Sequence, residues 1–245
     1  MLARRAIRER IWSRLRDVAI PDSRFHMRFS EFIPDFVGSD AALRRILDDA
    51  RFIDVRHVFV TPDNSLAGLR QQLIESGTSL VVSTHGMARG FFWIEPGSVP
   101  RGEARFAAWL DGLEHFGKPL SLESLVALGG LDAIVTGASA VATSGVRFGR
   151  GHGFLDLEWL LFRELGLVED TTPIWTLVHD VQVVEEELFP GERDVVLDVI
   201  ATPTRTLEIN RQTPRPARID WQRLMQTEID AMPPLRELQR ALGLA

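Results

Sequence analysis

The sequence predicts an α/β protein: a three-layer α/β/α domain with a mostly parallel sheet and a C-terminal helical extension. Three observations carry this expectation. A β-branched alternating stretch at Val55 to Thr61, a helical pattern at Leu66 to Glu75 and a compact apolar run at Ser79 to Ser83 follow one another. That order is the order of a parallel crossover unit. Two more buried strands, Pro173 to Val178 and Val196 to Ala201, come after a second helical stretch. Finally, 245 residues with 45% hydrophobic and 25% charged content suit one full-sized α/β domain, with room for a helical extension.

Taken in order, Leu2, Ile7, Ile11, Leu15 and Val18 make a helical stripe through the basic stretch Met1 to Arg16. Glu9 and Asp17 interrupt its charge, so it reads as an amphipathic helix of the mature protein rather than a transit peptide. Ser39 caps a short helix through Leu47. Pro62 to Ser65 turns the first strand into its helix, which Gly77 closes. A helix is expected within Ala104 to Phe116, a short element at Leu122 to Leu128, and a strand at Ala133 to Thr136. Thr206 to Ile209 closes a sheet edge. Residues 1–213 then form the α/β domain, and residues 214–245 form a linker and a helical extension packed on it, broken at Pro233-Pro234.

Composition excludes several chemistries. With no cysteine there is no disulfide, thiolate metal site or thiol nucleophile, and with no tyrosine there is no phenol. Lys118 is the single lysine among 28 basic residues, so arginine must recognise any phosphate or carboxylate. A formal charge of −6 argues against a general nucleic-acid or anionic-membrane partner. No apolar run has the length of a membrane span, and the expected compartment is the cytoplasm.

The segment Arg147 to Asp156, R-F-G-R-G-H-G-F-L-D, is the most informative in the chain. Gly149, Gly151 and Gly153 stand at alternate positions, where they would weaken any regular element. Such a loop lets backbone N–H groups converge on an anion, and the helix expected from Leu157 to Leu165 adds a positive dipole end. Arg147 and Arg150 add full charge. A phosphate group is the simplest ligand, although the spacing is neither the dinucleotide fingerprint nor a P-loop. A glycine-rich turn that binds nothing is the bland alternative.

Asp156 is either a first-turn carboxylate favourable to the helix dipole or a ligand for magnesium riding on a bound nucleotide. Asp194 and Asp198 flank a strand start, a place where ligand clefts border open sheets and where solvated loops are also common. His152 is the histidine best placed to touch a ligand. His179-Asp180 is no catalytic dyad, because adjacent strand residues point to opposite faces. Arg4 and Arg8, one helical turn apart, could reach a polyphosphate or simply belong to a solvated face. The Phe91-Phe92-Trp93 run is core, or in part a stacking surface.

These segments together resemble the 5-formyltetrahydrofolate cyclo-ligase (methenyltetrahydrofolate synthetase) family, and most closely its divergent methenyltetrahydrofolate synthetase domain-containing branch. The resemblance rests on R-R-A-I-R-E-R-I-W from Arg4, V-T-G-A-S-A-V from Val135 and the glycine loop with L-E-W after it. It continues in V-H-D-V-Q-V-V from Val178, D-V-V-L-D-V-I-A-T-P-T-R from Asp194, I-D-W-Q-R-L-M from Ile219 and P-L-R-E-L from Pro234. It implies a cyclo-ligase using ATP and Mg²⁺ on a small-molecule substrate, a reduced folate. It implies that Arg4, Arg8, Arg147, Gly149, Arg150, Gly151, His152 and Gly153 bind the nucleotide. Arg150 and His152 are then the catalytic candidates, and Asp156 and Asp194 the metal carboxylates.

The chain also departs from the family pattern. His152 stands where a lysine or glycine is usual, and Phe154-Leu155 where a tyrosine pair is usual. No glutamate stands near Asn64-Ser65, and Ser83 to Gly86 lacks the expected proline and arginine. Two further readings therefore stand beside the folate enzyme. One is an ATP-using enzyme with another substrate, connected to thiamine metabolism; the other is a nucleotide-binding module without catalysis.

Overall fold

The computed structural model describes residues 2–244; Met1 and the side chain of Leu2, the first member of the expected stripe, lie outside the described residues. The first half of the chain runs α1 (Leu2–Leu15), α2 (Ser39–Leu47), β1 (His57–Val60), α3 (Ala67–Ser76), β2 (Ser79–Ser83) and β3 (Phe91–Ile94). It continues through α4 (Ala104–Ala107), α5 (Leu110–Phe116), β4 (Lys118–Leu120) and α6 (Leu122–Ala127). The second half holds β5 (Ala133–Thr136), β6 (Ala140–Ala142), β7 (Arg147–Phe148), α7 (Phe154–Glu164), β8 (Ile174–Leu177) and β9 (Val183–Val184). Last come β10 (Val199–Ala201), β11 (Thr206–Glu208), α8 (Gln226–Ala231) and α9 (Pro233–Ala241).

An 8-stranded sheet has the order β11-β10-β8-β5-β1-β2-β3-β4. Its centre, from β10 to β2, is parallel. Both edges are antiparallel, with β3 and β4 on one side and β11 on the other. The central strands are apolar on both faces, because helices cover both. Val58 and Val60, Leu80 and Val82, Ala133 and Val135 face a core shared with α2 to α5. Phe59, Val81 and Ile134, one residue out of phase, face a core shared with α6, α7 and the C-terminal helices. This alternation makes the three layers and bears out the predicted class. A 3-stranded sheet, β7-β6-β9, sits to the side, and Ile7 and Ile11 of α1 pack on it.

Four local differences have physical reasons. The helix expected within Ala104 to Phe116 is two helices, with Trp109 extended between them (φ −92°, ψ 157°). Gly112 lies so close to the first that a Cβ there would stand 2.0 Å from the Phe106 carbonyl oxygen. Gly112→Ala should therefore cost about 2–3 kcal/mol in a urea unfolding experiment, since backbone rather than a side-chain tip must move. β4, β6, β7 and β9 are only two or three residues long, too short to show a period in sequence. Phe91 to Trp93 is a strand outside the cavity lining, where Trp93 donates its indole N–H to Ser79 Oγ (2.8 Å) and carries Lys118 5.3 Å over its ring. Finally, α7 starts at Phe154, earlier than the apolar period suggests, because left-handed Gly153 serves as its N-cap.

The tail breaks where the prolines predict it: Pro233 and Pro234 occupy the first turn of α9. Ile219, Leu224, Ile229, Met232, Leu235 and Leu238 all join the core under α6 and α7. No helix among the described residues is long and apolar enough to cross a membrane.

Candidate functional site

From β1 the chain moves to β2 on one side, whereas β5, β8 and β10 lie on the other. The reversal between β1 and β5 opens a crevice at the carboxyl ends of the strands, the usual ligand position in an open α/β sheet. A cavity of about 620 Å³ occupies it, within the range of small-molecule sites. Thr61 to Asp63 after β1, Ser83 to Gly86 after β2 and Thr136-Gly137 after β5 line its floor. The loop from Arg147 to Asp156 and the side chains of Arg4, Arg8 and Asp194 line one end.

That end is strongly cationic. Arg8 donates to the Gly149 carbonyl (2.9 Å), and Arg4 donates to Asp194 Oδ2 (2.5 Å) and to the Phe189 carbonyl. Both guanidinium groups lie 6.0 Å from the Phe148 ring centre. The one-turn spacing of these arginines thus brings both to the cavity, while Arg10 pairs with Glu186 away from it. Gly151 is at φ +116°, a conformation L side chains rarely adopt, and the place of its missing Cβ faces Arg8 at 3.5 Å. Gly149, unlike Gly151 and Gly153, does not have a positive φ, and it presents its carbonyl to Arg8. Among the described residues, the N–H groups of Arg150 to Gly153 donate to no protein acceptor, which leaves them for an anion. A Gly151→Val substitution should remove whatever MgATP binding the unmodified protein shows by calorimetry, because valine at φ +116° strains the loop backbone.

Asp156, in the first turn of α7, accepts the Val195 N–H on Oδ1 (2.9 Å). Burial holds its carboxyl above the usual range, opposed by Arg147, and neighbouring Asp194 adds to the rise. Asp194 feels burial too, but hydrogen bonds from Arg4 and the Gly191 N–H bring it below the usual range. No group of three or more acidic or histidine side chains among the described residues has metal-binding geometry. Two carboxylates are nevertheless a donor set that magnesium accepts, since it keeps several waters and takes phosphate oxygens where a phosphate ligand is present.

The other end holds groups the sequence reading did not single out. Asp63 Oδ2 accepts the Thr61 hydroxyl (2.6 Å) and the Gly137 N–H (3.0 Å), which ties β1 to β5 at the switch point. Arg150 crosses from the loop, donating to the Glu31 carbonyl (2.8 Å) and to His85 Nε2 (3.1 Å). Burial foremost, and then Arg150, lowers the His85 pKa, so the ring accepts as a neutral imidazole. His152 stacks on Phe154 at 5.2 Å and 19°, at the exposed rim. Glu158 lies at the back, 2% exposed, and burial pushes its carboxyl up to about 8. Its sequence signal was an acid inside the apolar run L-D-L-E-W-L-L-F. A helix buried on that face tolerates a carboxyl group only for a reason.

Other acidic and histidine candidates lie elsewhere. Asp198 accepts the Ile174 N–H and pairs with buried Arg215. Asp180 accepts the hydroxyls of Thr202 and Thr204, and His179 caps a short turn through Val181. Each satisfies backbone or neighbouring side chains outside the cavity.

Comparison with known proteins agrees with this architecture. The model of the 5-formyltetrahydrofolate cyclo-ligase family matches residues 1–203. The methenyltetrahydrofolate synthase domain-containing protein of Homo sapiens is 33% identical over 97% of this chain, and that of Mus musculus 32% over 99%. The chain spans 62% and 65% of the lengths of these two relatives. The solved structure of Aquifex aeolicus 5,10-methenyltetrahydrofolate synthetase has the same fold at a TM-score of 0.50 and 14% identity, covering 89% of this chain and 98% of that one. With most of its length matching the family model, this chain belongs to the 5-formyltetrahydrofolate cyclo-ligase family.

Proposed function

We propose that the protein uses ATP and Mg²⁺ to close 5-formyltetrahydrofolate into 5,10-methenyltetrahydrofolate. One observation carries this reading. A single cavity at the switch point joins the cationic glycine loop at one end to a floor of hydroxyl and carboxyl groups at the other. Family membership supports the same choice of reactants.

The chemistry requires two reactants side by side. A formamide oxygen leaves poorly, so it must first take the γ-phosphoryl group; N10 then attacks the formyl carbon and phosphate departs. In this reading Arg4, Arg8, Arg147 and the free amides of 150–153 hold the polyphosphate, supplying charge where phosphoryl transfer needs it. Arg150 reaches from the loop toward Asp63 and His85, between the two ends, and so steadies the transferring group. His152, stacked on Phe154, covers the reactants from the rim. Asp156 and Asp194 would hold the metal, which when bound would neutralise phosphate oxygens. Asp63 stands at the turn after β1, where the family's folate glutamate has no counterpart in this chain.

A different second substrate is favoured by one feature. The rim is built from His85, His152 and Phe154 instead of a tyrosine pair. The test is the near-ultraviolet absorbance of methenyltetrahydrofolate with ATP and 5-formyltetrahydrofolate supplied. Product that depends on ATP and Mg²⁺ is the expected result. ATP binding without product at high enzyme concentration points to another substrate or to a module without catalysis.

A further inference from the structure

Glu158 and Ser83 lie against each other at the back of the cavity, one from α7 and one from the end of β2. They are 2% and 0% exposed, and both line the cavity wall. Apart from their own weak contact with each other, Glu158 Oε2 and Ser83 Oγ have no hydrogen-bond partner among the described residues. No arginine, lysine or histidine nitrogen among the described residues comes within 4.0 Å of the Glu158 carboxyl. Leaving such atoms unpaired is costly, about 1–3 kcal/mol each, unless something else satisfies them. The nearest charges do not: Arg147 Nε is itself buried and unpaired at the phosphate end, and Asp63 repels. The surrounding wall is apolar helix and sheet core.

We propose that Glu158 and Ser83 form a subsite that reads an N–H donor and adjacent acceptor on the edge of a nitrogen heterocycle, the lactam or aminopyrimidine edge of the second reactant. A carboxyl accepts the ligand N–H while the serine hydroxyl donates to its neighbour. Both groups are fixed on regular elements, one on a long helix and one at a strand end, so the pair is pre-oriented. Selectivity follows from burial, because a ligand lacking the N–H leaves the carboxyl unpaired. This inference deepens the proposed folate reading, yet it names a chemistry that a reduced folate and a thiamine-type aminopyrimidine share.

The test is calorimetric titration of the full chain with three probes: 5-formyltetrahydrofolate, 4-amino-5-hydroxymethyl-2-methylpyrimidine and MgATP. The unmodified protein should bind one of the two heterocycles. Glu158→Leu should weaken that heterocycle by about 10- to 100-fold, and Ser83→Ala by a smaller factor. MgATP affinity should stay within about twofold in both variants, which also reports that each is folded. Binding of the aminopyrimidine but not the folate would overturn the folate reading and keep the subsite. Binding of the folate with equal affinity in both variants would overturn the subsite and keep the folate reading. Binding of neither heterocycle to the unmodified protein would overturn both.

Discussion

Asp156→Asn is expected to lower ATP-dependent turnover by about 10²–10³-fold while leaving the unfolding midpoint unchanged or slightly raised. Asparagine keeps an oxygen for the Val195 N–H, the one hydrogen bond the carboxylate makes among the described residues. It removes a negative charge that burial and Asp194 already disfavour. The folded chain gives up the attraction of Arg147 but also the burial cost and the Asp194 repulsion that outweigh it, whereas a bound cation would lose a ligand. Parallel measurement of steady-state rate and urea unfolding separates the two effects. A fall in stability matching the fall in rate would return Asp156 to the helix-capping role that its sequence position equally allows.

The largest effect on stability should come from Arg215. Its guanidinium is fully buried, 0% exposed on the side chain, and pairs with Asp198. It also donates to the carbonyl oxygens of Val196 (2.7 Å), Asp170 (2.8 Å) and Thr172 (3.2 Å), and it lies 5.1 Å over the Trp159 ring. Asp198 in turn accepts the Ile174 N–H at the foot of β8. Arg215→Ala removes the cation and leaves Asp198 and three carbonyls without it. Breaking a buried pair in this way costs about 3–5 kcal/mol, which for a chain of this size lowers the midpoint by roughly 6–20 °C. Thermal unfolding followed by circular dichroism reads it directly. A change under about 1 kcal/mol would mean that water replaces the guanidinium at little cost.

Arg215 also marks where sequence reading runs out. Pro214 to Ala217 reads as a linker because its composition is that of one, and nothing local signals that its arginine enters the core. The parts that were legible are those with local causes. The β1–α3–β2 unit follows from alternation giving way to helical spacing and then to a compact apolar run. The glycine loop and Asp156 follow from residue types adjacent in sequence, and the break before α9 follows from two prolines. The far end of the cavity was not legible, since it depends on which strands become neighbours. Asp63 meets Gly137 across 74 positions only because β5 pairs with β1. Glu158 carried a signal, an acid inside an apolar helix, but its partner Ser83 is supplied by the sheet order. Sequence alone leaves Arg4 and Arg8 two readings, and their place at the cavity depends on α1 packing on β6 and β7.

Thermal unfolding of the unmodified protein and of Gly151→Val, each with and without MgATP, most directly tests whether the Arg147–Asp156 loop holds the nucleotide. At a hundred times its Kd the ligand should stabilise the unmodified protein by about 2.7 kcal/mol, a rise of roughly 5–10 °C. The variant should show no rise at the same concentration. No shift in the unmodified protein, or an equal shift in both, would contradict the assignment and leave the glycines as a turn that binds nothing.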